Sequence, residues 1–129
     1  MNDFKKETYN RIINNQKNDE LKKVSSEFIK QSILAKYSYN FSWLGRPIIQ
    51  YPQDIIALQE IIWKVKPDLI IETGIAHGGS LIFSSTMLAL LDLDDAMTKN
   101  SEKKSYDSHR KVLGIDIDIR SHNKKAIKE

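Results

Sequence analysis

Apolar residues recur at helical spacing over the first third of the chain and then break into short runs. Leu21, Val24, Phe28, Ile29 and Ile33 fall three or four positions apart, which predicts an amphipathic helix over about residues 19–35. Phe4, Tyr9, Ile12 and Ile13 predict a shorter helix before it, with the polar stretch 14–18 as the turn between them. Residues 36–51 have no period; they carry Tyr37, Tyr39, Phe41 and Trp43 and read as an aromatic loop. Pro52 suits the first turn of another helix, and Asp54 complements its positive N-terminal end. Ile55, Leu58, Ile62 and Val65 predict that helix's buried stripe, and Pro67 stops it. Residues 69–71 then read as a short buried strand, 81–91 as a helix and 112–117 as a second buried strand. Residues 92–110 are polar and charged, with little apolar beyond Ala96, Met97 and Tyr106, and predict a surface loop or lid.

The chemistry concentrates where the first strand meets the helix. Glu72-Thr73-Gly74-Ile75-Ala76-His77-Gly78-Gly79-Ser80 joins them through a glycine-rich turn, the opening unit of a nucleotide-binding α/β sheet. Gly74 permits a sharp turn, and Gly78 and Gly79 allow close approach of a ligand to free N–H groups at the helix start. Three residues separate Gly74 from the next glycine, so the turn departs from the dinucleotide pattern G-x-G-x-x-G. Glu72 also sits badly beside a pyrophosphate. It suits a ligand with a positive centre, such as S-adenosylmethionine with its amino group and sulfonium. The alternative is that the glycines serve packing alone. Asp116, near the end of the second strand, stands where an acidic residue commonly holds ribose hydroxyls; strand-end solvation is the other reading, and the one that fits Asp118. His77 either acts as a base or contacts the methionine carboxylate of the cofactor, its place in the loop favouring the contact, or is a polar residue on an exposed turn. Trp43 and Tyr51 either line an acceptor pocket or fill a gap, whereas Tyr37, Tyr39 and Phe41 read as gap-fillers. His109 and His122, beside lysines and arginine, read as surface residues.

Composition narrows the class further. The 129 residues suit one domain at most, and the absence of cysteine excludes a disulfide framework or a Cys-based zinc site. No apolar run reaches membrane-spanning length, and the charged N-terminus lacks a signal-peptide core, so a cytoplasmic protein without a membrane partner is expected. The net charge of +3 is carried by scattered pairs such as Lys22–Lys23 and Lys103–Lys104 with acidic neighbours, which reads as a solvated face and not a nucleic-acid surface.

Trp43-Leu44-Gly45-Arg46-Pro47, Pro52-Gln53-Asp54, Gln59-Glu60, Lys66-Pro67-Asp68, the loop from Glu72 to Ser80 and Gly114-Ile115-Asp116-Ile117-Asp118-Ile119-Arg120 occur in this order. As a set they resemble the cephalosporin hydroxylase family, also described as CmcI-like or rhamnosyl O-methyltransferase-like proteins, over about residues 37–129. The resemblance implies an α/β protein: the N-terminal part of a Rossmann-like S-adenosylmethionine-dependent methyltransferase fold from residue 37, preceded by a helical segment over 1–36. It implies binding of S-adenosylmethionine and a divalent cation, usually Mg²⁺, and methylation of a hydroxyl on a sugar or other small molecule. It places Glu72, Gly74, His77, Gly78, Gly79 and Ser80 in the cofactor loop and Asp116 at the ribose; Trp43 and Tyr51 are the candidate substrate-binding residues from the aromatic loop. The family's metal-binding carboxylates lie on later strands and nothing here matches them, so the chain is expected to be the N-terminal portion of a longer enzyme. Two classes stay open: an O-methyltransferase, or a non-catalytic cofactor-binding remnant that needs a missing half or a partner. A NAD-dependent enzyme is a third reading. With only two identifiable strands, and one open edge, the isolated chain is expected to be oligomeric or aggregation-prone and inactive.

Overall fold

The structure, a computed structural model, describes residues 3–98 and 108–128, the last three as backbone only. Residues 99–107 of the predicted lid, with Lys103, Lys104 and Tyr106, lie outside the described residues. The chain divides into two compact units, Met1–Tyr37 and Ser38–Glu129.

The first unit holds two helices, α1 (Asp3–Gln16) and α2 (Asp19–Leu34). Asn18 stops the chain from running on as one helix. Its backbone is extended and its side-chain oxygen accepts the Leu21 N–H at 3.0 Å, satisfying a donor the helix cannot. Asp19 and Glu20 then sit at the positive end of α2. At its other end the Phe28 and Tyr37 rings meet edge to face, 5.8 Å apart.

The second unit starts with strands where a loop was expected. After a 3₁₀ turn at Tyr37–Tyr39, β1 (Phe41–Trp43) and β2 (Arg46–Ile48) form an antiparallel hairpin. Leu44 and Gly45 turn it, both left-handed at φ 48° and 81°, the backbone that a two-residue hairpin turn requires. Next come α3 (Pro52–Val65), β3 (Leu69–Thr73), α4 (Gly79–Thr98), β4 (Lys111–Ile115) and α5 (Ser121–Lys128). Left-handed Lys66 ends α3, its N–H donating to the Ile62 carbonyl. β3 and β4 pair in parallel, from Leu69 opposite Lys111 to Thr73 opposite Ile115, with α4 as the crossover that a parallel pair needs.

The core is built around α4. Phe83, Met87, Leu88 and Leu91 pack with Ile48 of β2 and Ile62 of α3, and Ile70 and Val112 close it from one face of the β3–β4 sheet. On the opposite face Leu69, Ile71, Leu113 and Ile115 remain about half exposed. The architecture is α/β: helices, then two sheets of two strands each among the described residues, in keeping with a methyltransferase-like domain. No described helix is long and apolar enough to cross a membrane.

Two boundaries and one buried stripe differ from expectation. Helix α4 runs on through Asp92 to Thr98, residues read as loop, because Asp92 and Asp95 are occupied by Arg110 and do not repel the helix's negative end freely. Of the stripe predicted for α3, Ile62 is buried and Ile55 half-buried, but Leu58 and Val65 face a recess. β4 stops at Ile115, so Asp116 follows the strand. The Asp118 N–H bonds back to the Asp116 side chain at 3.0 Å, and that local turn draws the main chain off the ladder.

Candidate functional site

β3 and β4 finish side by side, and the pairing continues one step further: the Gly74 N–H donates to the Ile115 carbonyl at 2.8 Å. The chain then leaves the sheet through a tight turn. Gly74, Ala76 and Gly78 are all left-handed, at φ 78°, 42° and 80°, and the Gly78 N–H returns to the Ile75 carbonyl at 2.7 Å. Gly74 has open space where a Cβ would be, so its backbone conformation alone asks for glycine. Gly79 differs. A Cβ there would lie 2.2 Å from the Pro47 carbonyl oxygen, so the space beside it is taken by β2.

Two carboxylates flank the turn. Asp116 Oδ2 accepts the Ile75 N–H at 2.9 Å and Oδ1 accepts the Asp118 N–H at 3.0 Å. The amides of Ala76 and Ile117 also act on this carboxylate; with the Asp118 amide the strongest, they hold its pKa below the ordinary 3.8. Glu72, at the end of β3, is half-buried and accepts a hydrogen bond from the Ser80 hydroxyl on the first turn of α4. Burial pushes the Glu72 carboxyl above its ordinary 4.5, and the Ser80 bond opposes the rise.

The turn opens onto a recess of about 490 Å³. Glu72, Gly74, His77, Gly79 and Ser80 line one side; Gln50, Leu58, Ile61 and Val65 line the other. The sequence-predicted residues Glu72, Gly74, His77, Gly79 and Ser80 therefore come together, with Gly78 in the same turn and Asp116 directly behind it. The His77 ring also lies 5.8 Å from that of His122 at the start of α5. Trp43 and Tyr51 do not line this recess. The Trp43 indole N–H donates to Thr86 Oγ1 at 2.9 Å and its ring packs edge-on against Phe83, which fastens the hairpin to α4. Tyr51 is the capping residue before α3. Gln50 was missed because its place depends on the hairpin, and the only hint was a polar residue beside Ile48 and Ile49. Among the described residues no three of His, Cys, Asp or Glu come together as a metal site.

The family model for rhamnosyl O-methyltransferases and CmcI matches residues 35–129. The chain belongs to that family, an O-methyltransferase family, as its motifs led us to expect. No curated protein and no solved structure matches it.

Proposed function

We propose that this family member takes S-adenosylmethionine into the turn at the end of β3, on a Rossmann-like sheet, and methylates a hydroxyl of a sugar or other hydroxylated small molecule. The observation that carries this reading is the sign of the charge at the turn. The Ile75 amide is already taken by Asp116, and among the described residues Glu72 meets the Ser80 hydroxyl and no cation. A pyrophosphate would find one turn amide already taken and a carboxylate at the strand end beside it, which speaks against NAD. A cationic ligand finds the reverse.

The bound cofactor would supply an electrophilic methyl group on a sulfonium. Glu72 would accept hydrogen bonds from its positive or hydroxylated end, and Ser80 would hold the Glu72 carboxylate in place. Gly74 and Gly78 keep the turn free of side chains, so a ligand can lie against main chain, with His77 and Gly79 at its border. Leu58 and Ile61 give the recess an apolar wall. Methyl transfer needs the acceptor oxygen in line with the methyl–sulfur bond, so the walls contribute by positioning. The described residues gather no ligand set for Mg²⁺.

Calorimetric titration with S-adenosylmethionine, S-adenosylhomocysteine and NAD tests the reading. Binding of the first two and not the third is expected. Glu72→Ala should weaken S-adenosylmethionine by about 1.5–3 kcal/mol, the worth of a charge-assisted hydrogen bond. Unchanged affinity in that variant would sink the assignment.

A further inference from the structure

We infer that Asp116 is the positioning residue of this site: its carboxylate, by taking main-chain amides, holds the 74–78 turn in its left-handed shape before any ligand arrives. The inference rests on the reading of the turn as the cofactor site.

The turn cannot hold this shape by itself. Gly74 and Gly78 adopt positive φ without cost, but Ala76 sits at φ 42° with a Cβ, a conformation that persists only where the surroundings impose it. Left-handed residues alternating along a short segment turn successive N–H groups inward and make a cradle for an anion. In many turns of this kind the anion is a ligand's phosphate. Here the Ile75 N–H reaches the Asp116 carboxylate, 41 positions along the chain, at 2.9 Å, and Ala76 contributes a second amide. The cradle's anion is part of the protein.

A second fixture acts on the same residue. The Ile75 side chain is 5 % exposed and seated against β4 so closely that a Cβ on Gly114 would come within 2.8 Å of its methyl group. Ile75 is thus held by its main chain through Asp116 and by its side chain over Gly114. Asp116 itself is anchored by the Asp118 N–H on its other oxygen. With one main-chain amide on each oxygen, Asp116 shapes the turn that a ligand meets. A preformed turn spares the ligand the cost of ordering it.

Hydrogen exchange of the cofactor-free protein, read at Ile75 and Ala76, tests this directly. Asp116→Ala should speed exchange there about tenfold or more, while amides in the middle of α4 keep their protection and report that the fold survives. Asp116→Asn should fall between, because an amide side chain has one acceptor oxygen for two donors. Ala76→Gly, which removes the strain, should shrink the effect of Asp116→Ala on S-adenosylhomocysteine affinity in a double-mutant cycle. Unchanged exchange at Ile75 in Asp116→Ala would overturn the inference. So would lost S-adenosylhomocysteine affinity without faster exchange, which would make Asp116 a direct ligand. If exchange rises as expected but the unaltered protein binds no S-adenosylhomocysteine, the positioning role stands and the cofactor reading falls.

Discussion

The two ends of the β3–β4 pair are both tied down by aspartates, and they prepare the protein for opposite tasks. Where the strands begin, the Arg110 guanidinium lies between Asp92 and Asp95 on the last turns of α4, 2.6 Å from the latter, with only 6 % of its side chain exposed. The two carboxylates hold the guanidinium proton still more firmly than usual, Asp95 contributing most. Where the strands finish, Asp116 meets amides and Glu72 meets a hydroxyl; among the described residues neither pairs with a cation. A carboxylate matched by a guanidinium fastens two elements and is chemically finished. A carboxylate held by neutral donors keeps its charge for whatever comes next.

The contrast breaks most visibly at Arg110. Arg110→Ala would remove the guanidinium that joins Asp92 and Asp95, 17 % and 27 % exposed, to the start of β4. Urea unfolding should record a loss of about 2 kcal/mol, below the range for a fully buried pair because both carboxylates are part-exposed. Exchange at Ile75 in the turn should stay as it is. If the turn loosened together with the Arg110 end, the two ends would be one mechanical unit and the contrast would fail.

Much of the site end was legible in the residues. Glu72, the spaced glycines and Ser80 announced a strand, a turn and a helix, because each residue type has a local reason to be there. The cap at Asn18 and the spacing from Leu21 to Ile33 located α2 in the same way. What stayed hidden depends on partners distant in sequence. The hairpin strands are three residues each, too short for alternation to register, and Leu44 occupies a left-handed turn position where asparagine would have been the signal. Asp92 and Asp95 looked like loop because nothing local reveals that Arg110 returns to them. The same holds for Asp116. Its acidic character suggested a ribose contact, and only the fold discloses that its oxygens face the amides of Ile75 and Asp118.

A titration of the site end sharpens the comparison. Burial raises the Glu72 pKa above 4.5, so the native state binds that proton more readily than the unfolded chain. Stability from this group therefore falls as pH rises from about 4.5 through the raised pKa. Affinity for S-adenosylmethionine should move the other way over the same window, because the cation needs the ionised carboxylate. Asp116, depressed below 3.8, titrates mostly below this window and contributes only a small slope of the opposite sign at its acid edge. Glu72→Gln should flatten both curves. Calorimetry at a series of pH values checks the affinity, and urea midpoints check the stability. An affinity slope that survives in the variant would move the titrating group elsewhere.

The smallest effect belongs to His109. Its ring nitrogen lies 2.8 Å from Asp68, beside the Arg110 pair, so on the map it looks like part of the same fastening. Exposure separates the two. The His109 and Asp68 side chains are 67 % and 73 % exposed, against 6 % for Arg110. Water screens such a contact and competes for both partners, and holding two exposed side chains in one geometry costs rotamer freedom. The Lys111 N–H already bonds the Asp68 carbonyl at 2.9 Å, so the main chain closes this corner without the imidazole. His109→Ala should therefore cost less than about 0.5 kcal/mol in urea unfolding, and added salt should leave that difference almost unchanged. A loss approaching that of Arg110→Ala would mean that the strand-start end is held by a network of charges and not by one buried guanidinium.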